Sequence, residues 1–405
     1  EDDNDPAGFF YYMSLAAKKA APRRRKSLPS LTSEYQMGIE TFTRRFFEQL
    51  FSWLKPPCVI VFDNYERISA DSSLHAVVSE ALQTLPEEVS LFVTSRQPPP
   101  AAFARLQASQ NFSWIDDTAL RLTEEEAYSI AQIHSKQTLG KEQLCNIHLM
   151  SRGWMAGLIL MANSKKLPEK RPEAGASIQV LFDYFAEEVF KRIEPKTQKL
   201  LQQLAVMPTI SEASAIQLTE NENAGNILAK LADGYFFTYR HQQEKNTYQF
   251  HPLFREFLLE HSKRNCSQEK FSQLNQKAAT LLELEQRLEA AFDLYISSQQ
   301  YAEAARLVGQ QAPILLHQGR SKTLLSWLSQ LPQDFFEKTP WLLYWEGEGK
   351  TIQDPLIARA PLERAYELFV EQHDILGATL SCCLIIESFK VLWDDFHLMD
   401  PWIDR

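Results

Sequence analysis

Two short apolar runs end in residues able to handle a phosphate. Val59-Ile60-Val61-Phe62 leads straight into Asp63-Asn64, and Val89 to Val93 leads into Thr94-Ser95-Arg96. A carboxylate at the end of a strand can hold a Mg²⁺-bound water beside a nucleotide phosphate. A hydroxyl and a guanidinium at the end of the next strand can sense a terminal phosphate. Each motif also occurs at plain strand exits, as a capping acid or a solvated arginine, so by itself each leaves both readings open. Together they carry more than either does separately. His251, in front of Pro252, is equally two-sided: a capping or core histidine, or a group that reaches a ligand.

Other chemistry is absent from the sequence. Gly349-Lys350-Thr351 mimics the end of a phosphate-binding loop, but the full G-x-x-x-x-G-K-[ST] pattern needs glycine where Tyr344 stands. No apolar strand precedes it, so it reads as a decoy. The basic run Arg23-Arg24-Arg25-Lys26 reads as a solvated loop, and Trp393-Asp394-Asp395-Phe396 as a helix end. The histidines form no HExxH pattern and no metal-ligand spacing, and there is no Gly-x-Ser-x-Gly elbow. Five cysteines make no CxxC pair, which argues against disulfides and structural zinc and for a reducing, cytoplasmic setting.

The elements that must position these residues follow from periodicity. The runs at 59–62 and 89–93 predict strands buried on both faces of a parallel sheet. Between them Leu74, Val77, Val78, Ala81, Leu82 and Leu85 repeat as one helical face. Strand, helix, strand is a βαβ unit, which brings Asp63 and Arg96 to one carboxyl edge, where α/β proteins bind ligands. Helices are expected over Phe9–Lys19 and Gly38–Leu54. Thr123 with Glu126 forms a capping box that opens another helix. Asn163 to Ser177, with two prolines and a glycine, reads as a linker. Helices near 178–192 and 195–206, a hairpin from Tyr235–Arg240 and Thr247–Phe250, and a helix opened by Pro252 together suggest a winged helix. From Phe271 onward the chain reads as amphipathic helices. The look-alike pieces Tyr301–Leu307 and Leu362–Leu368 suggest tetratricopeptide-type packing without a clean period.

Composition agrees with a packed, mostly helical chain of several domains. Hydrophobic residues make up 44% of 405 residues, and glycines number only 13. A net charge of −10 argues against general nucleic-acid binding by these residues. No apolar run approaches the roughly 18 residues of a membrane span.

The order of these motifs resembles the STAND class of P-loop ATPases, specifically the MalT-like, LuxR-family large regulators. Asp2-Asp3-Asn4-Asp5-Pro6 with Phe9 to Tyr12 resembles the segment that follows the P-loop region there. Cys58 to Ile68 resembles the Walker B strand, and Phe92 to Arg96 the sensor strand. Leu120 to Ala127 resembles the start of the small helical domain, Gly153 to Leu158 the element near the adenine, and Tyr248 to Leu258 the winged-helix segment. The resemblance runs along nearly the whole chain.

It implies a mainly α chain with a partial α/β P-loop NTPase domain (1–116), a helical lid (117–165), a winged helix (178–262) and a TPR-like superhelical sensor (263–405). ATP or ADP with Mg²⁺ would be the cofactors. Asp63 would orient Mg²⁺ through water with Asn64 beside it. Thr94 and Arg96 would report the γ-phosphate, Gly153 and Trp154 would lie near the base, and His251 would stabilise the ADP form. An inducer on the superhelix would permit self-oligomerisation, and an output domain outside this chain would bind DNA. The protein would be a slow ATPase switch at most, not a metabolic enzyme. Asn64 replaces a second acid, Met155 replaces a proline, and the P-loop is absent from these residues, so this chain by itself is expected to bind ATP weakly or not at all. Two other outputs are kept: a STAND signalling or defence protein with a different effector, and a nucleotide-independent helical-repeat scaffold.

Overall fold

A computed structural model describes residues 5–24, 26–32, 35, 38–108, 112–116, 118–135, 139–151, 153–162, 190, 193–233, 237–241, 244–351, 354–392 and 396–405. Asp2 to Asn4, most of the 178–192 helix, the 163–177 linker and Trp393 to Asp395 lie outside the described residues. The chain divides into two compact units, Glu1–Ser113 with Tyr301–Arg405, and Trp114–Gln300.

The first unit opens with α1 (Pro6–Ala20). Asp5 caps it by accepting the Ala7 N–H at 3.1 Å, and Pro6 occupies the first turn, where no N–H is needed. Phe9 and Phe10 carry α1 onto α2 (Ile39–Trp53), whose Phe42, Phe46, Phe47 and Leu50 are buried. Then come β1 (Cys58–Phe62), a 3-10 turn (Tyr65–Arg67), α3 (Leu74–Gln83) and β2 (Val89–Val93). The strands pair in parallel, with Phe62 opposite Val93. This is the βαβ unit that periodicity predicts.

The expectation that both strands are buried on both faces is corrected. Cys58 and Ile60 pack into the phenylalanine core, while Val59, Val61 and Phe92 are each more than half exposed. Successive strand residues point to opposite faces, and the core helices cover the face that carries Cys58 and Ile60. A short helix, α4 (Ala104–Gln107), follows.

In the second unit α5 (Glu124–His134), α6 (Lys141–Ser151) and α7 (Met155–Ala162) pack together. The capping box forms as expected, with Glu126 accepting the Thr123 N–H at 2.9 Å. Next come α8 (Pro195–Leu204), β3 (Ile210–Ser211), α9 (Glu212–Thr219), α10 (Ala224–Asp233), β4 (Thr238–Arg240), β5 (Thr247–Phe250) and α11 (Pro252–Asn265). The predicted hairpin is β4–β5, and β3, too short for any period to announce it, adds a third strand in the order β3-β5-β4. This is a winged helix. Arg255 of α11 clamps it, donating to the carbonyls of Ala205 (2.8 Å) and Val206 (3.0 Å) just past α8. The helices α12 (Gln268–Leu284) and α13 (Leu288–Ser297) complete the unit. Glu285 ties them to the winged helix by accepting the Ser211 hydroxyl at 2.5 Å.

Returning to the first unit, α14 (Tyr301–His317), α15 (Ser321–Ser329), α16 (Asp334–Lys338), α17 (Pro340–Thr351), α18 (Pro355–Glu371), α19 (Ile375–Leu392) and α20 (Asp400–Ile403) form a helical array. Small residues sit at its crossings, since Ala304, Ala358 and Ala365 are fully buried. Among the described residues, no helix is long and apolar enough to cross a membrane.

The turn between α14 and α15 docks against the start of α1. Thr323 donates its hydroxyl to Asp5 Oδ2 at 3.1 Å, and Arg320 stands over the rings of Tyr11 and Tyr12. Burial raises the Asp5 carboxyl above its usual range, outweighing the Ala7 amide, the Thr323 hydroxyl and the Lys322 and Arg320 charges. The folded state therefore keeps a proton that the unfolded chain has released. Stability present below the unfolded pKa is lost as pH rises through the raised folded value. Asp5→Asn keeps a good N-cap and carries no charge. Its stability relative to wild type is expected to rise from pH 3 to pH 7, measured by urea unfolding; a constant difference would count against the buried-charge penalty.

Candidate functional site

Parallel pairing of β1 with β2 brings Asp63, Asn64, Thr94 and Arg96 to one carboxyl edge. The Thr94 hydroxyl donates to Asp63 Oδ1 at 2.5 Å, and the Asn64 amide donates to Asp63 Oδ2 at 2.9 Å. The Asn64 N–H meets Thr94 Oγ1 at 3.2 Å. Both carboxylate oxygens thus have partners within the edge, although Asp63 and Thr94 remain exposed. Asn64 adopts the left-handed conformation, φ 57°, which asparagine tolerates better than most residues. An aspartate there would set a second negative charge against Asp63. Asparagine supplies an N–H donor instead.

That left-handed residue starts the 3-10 turn, and the turn brings up a group that sequence reasoning missed. Glu66 Oε1 lies 3.1 Å from Arg96 Nε, and Glu66 Oε2 accepts the Arg96 backbone N–H at 3.2 Å. The turn is pinned to β2 by the Tyr65 N–H donating to the Thr94 carbonyl at 2.9 Å. Beneath it, His75 Nε2 donates to the Ser69 carbonyl at 2.9 Å, which leaves Nδ1 to accept the Tyr65 hydroxyl at 3.0 Å. Both rings are buried, and burial raises the Tyr65 phenol pKa, so the hydroxyl stays protonated. Nothing in the linear order of Asp63, Glu66 and Arg96 indicates that the turn folds Glu66 back across β2.

The other predicted site residues belong to the second unit. Gly153 has φ +73°, and a methyl group on it would stand 2.8 Å from the Leu122 carbonyl oxygen, which only glycine avoids. Its own carbonyl accepts the Leu122 N–H at 2.9 Å. The Trp154 ring lies against Gly157, and Met155 is half exposed. His251 is the N-cap of α11: Nδ1 accepts the Leu253 N–H at 3.3 Å, and the ring meets Phe237 edge-on at 5.8 Å. The capping reading of His251 therefore holds in structure, whatever further role it has.

Gly349-Lys350-Thr351 ends α17. Lys350 pairs with Glu346 at 2.5 Å and Thr351 donates to the Gly347 carbonyl at 2.8 Å, so these residues form a helix end and not a phosphate cradle. Among the described residues, no group of three or more His, Cys, Asp or Glu could hold a metal ion. Mg²⁺ needs less, one or two carboxylates beside substrate phosphates and water. The exposed Asp63 carboxylate at the sheet edge fits that requirement.

Residues 186–270 match the family profile of the MalT winged helix domain. The chain is similar to the HTH-type transcriptional regulator MalT of Vibrio campbellii, 25% identical over 352 residues covering 84% of this chain and 38% of that protein. MalT of Yersinia pestis is 24% identical over 265 residues, 64% of this chain and 29% of that protein. The chain thus spans about a third of the length of the curated relatives it matches. A STAND protein with a tetratricopeptide repeat sensor from Pyrococcus horikoshii aligns over 98% of this chain and 68% of its own, with a TM-score of 0.46 and 13% identity. The likeness to MalT regulators thus extends across most of the chain, and residues 186–270 match the MalT winged helix domain.

Proposed function

We propose that this chain is the central switch-and-sensor portion of an ATP/ADP-switched STAND regulator, an inducer-responsive transcriptional activator. The supporting observation is a parallel-sheet edge bearing Asp63, Thr94 and Arg96 in a chain that also carries a MalT winged helix domain. In this reading residues 1–116 are the partial nucleotide-binding domain, 117–165 the lid, 178–262 the winged helix and 263–405 a TPR-like sensor. Asp63 supplies the carboxylate of the corner with the Asn64 amide beside it, and Mg²⁺ bound through water would offset phosphate charge there. Thr94 and Arg96 face the terminal phosphate, Gly153 and Trp154 shape the base end, and His251 reaches the ADP phosphates. The inducer, self-association and promoter DNA are the partners, DNA being bound through an output domain outside these residues. The setting is cytoplasmic.

The test uses two variants of the natural full-length protein, with ADP and ATP affinity and reporter transcription as readouts. Asp63→Ala is expected to abolish Mg²⁺-dependent ATP binding. His251→Asn preserves the helix cap, because asparagine is a strong N-cap. It is expected to weaken ADP about tenfold through loss of a hydrogen bond to a charged group, with helix content unchanged. Wild-type nucleotide affinity in both variants would sink the reading. The scaffold alternative draws on one specific observation: Asp63 and Arg96 are already engaged by protein groups. A wild-type protein that activates transcription without binding nucleotide would favour it.

A further inference from the structure

We propose that Glu66 is the resting counter-ion of Arg96, which a nucleoside triphosphate must displace and a diphosphate need not. The inference rests on the nucleotide reading above and adds the regulation of that same edge. Glu66 contacts one residue twice: the guanidinium at 3.1 Å and the backbone N–H of Arg96 at 3.2 Å. The second bond fixes the exit of β2, and the first parks the side chain.

The two partners are unequally anchored. The Glu66 side chain is 14% exposed and the Arg96 side chain 60%. Glu66 sits in the turn whose Tyr65 is bonded through its backbone to Thr94 and through its hydroxyl to the buried His75. The carboxylate is mostly shielded beside that pinned turn, whereas the guanidinium stands on a long, exposed stem. Arg96 is therefore the partner that moves.

A terminal phosphate presents more negative charge and more acceptor oxygens than one carboxylate, so it wins the guanidinium once it comes within reach. A diphosphate ends one phosphate sooner and leaves the pair intact. Glu66 thus sets a cost on the triphosphate state only, as a positioning residue that acts through Arg96.

The experiment measures ATP and ADP affinity in the natural full-length protein and its Glu66→Gln, Arg96→Ala and doubly substituted variants. The amide introduced by Glu66→Gln retains an acceptor for the Arg96 N–H and loses the charge. Glu66→Gln is expected to tighten ATP about two- to fivefold, the range of a partly exposed ion pair, with ADP unchanged. The gain should shrink as salt is raised and vanish in the Arg96→Ala background. Equal changes for ATP and ADP, or a gain that persists without Arg96, overturn the proposal and leave nucleotide binding standing. A wild-type protein that binds neither nucleotide overturns the nucleotide reading itself, and this inference with it.

Discussion

Gly319→Ala is expected to destabilise the first unit by about 3 kcal/mol or more, near the top of the range for single substitutions. Two costs add. Gly319 has φ +74°, and a residue with a Cβ loses about 1–2 kcal/mol in that conformation. The new methyl group would also overlap the Leu31 carbonyl oxygen. That neighbour is backbone, so no flexible side chain can yield, and either the turn or the stretch of chain at Leu31 must move. Movement there would disturb the whole junction, because Arg320 and Thr323 follow directly and meet Tyr11, Tyr12 and Asp5. Urea unfolding followed by tryptophan fluorescence should show the midpoint of this unit shifted sharply downward. A shift equivalent to less than about 1 kcal/mol would mean that the close approach relaxes at little cost.

Phe46→Ala is the second large effect, expected at about 3–5 kcal/mol. The Phe46 ring is fully buried and lies 4.8 Å from Phe10, 5.5 Å from Phe47 and 6.2 Å from Phe42, centroid to centroid. Removing it empties the middle of an aromatic cluster whose members sit on two helices, and neither helix can close the gap without losing its other contacts. The cluster also seats the sheet, since Phe9 packs on Phe62 at 5.7 Å, one residue before Asp63. Loosening Phe46 should therefore disturb the candidate site as well as lower stability. Val61→Ala supplies the contrast. Val61 lies on the same sheet but is 56% exposed, so its change should stay within about 0.5 kcal/mol. Similar effects at both positions would contradict the one-sided core.

How much of this was legible in the sequence depends on whether the signal was local. The βαβ unit, the capping box at Thr123 and the β4–β5 hairpin each rest on patterns local to their own elements, and each forms where those patterns point. Two-sided burial of β1 and β2 was the wrong inference from a right pattern. An apolar run says that a strand is hydrophobic, not that a second layer covers it. The strand β3 is two residues long and shows no period at all; it exists because β5 offers it an edge. At the candidate site, Asp63, Thr94 and Arg96 were legible because parallel strands must deliver their exits to a common edge. Glu66 was not, because its partner is 30 residues away and the contact depends on the left-handed turn at Asn64.

By itself, then, the sequence determined the βαβ unit with its two strand ends at one edge, most of the helices, and the hairpin and helix of a winged helix. These depend on short-range periodicity and capping, whose energies are set by neighbours along the chain. Tertiary structure decided that the 301–405 helices form one compact unit with the N-terminal α/β segment and that the 268–297 helices join the winged helix. It also decided that His251 caps its helix and that Arg96 is held by Glu66. Those outcomes turn on which side chains meet across large sequence separations. That is settled by close packing and the pairing of buried polar groups, which a linear pattern does not record.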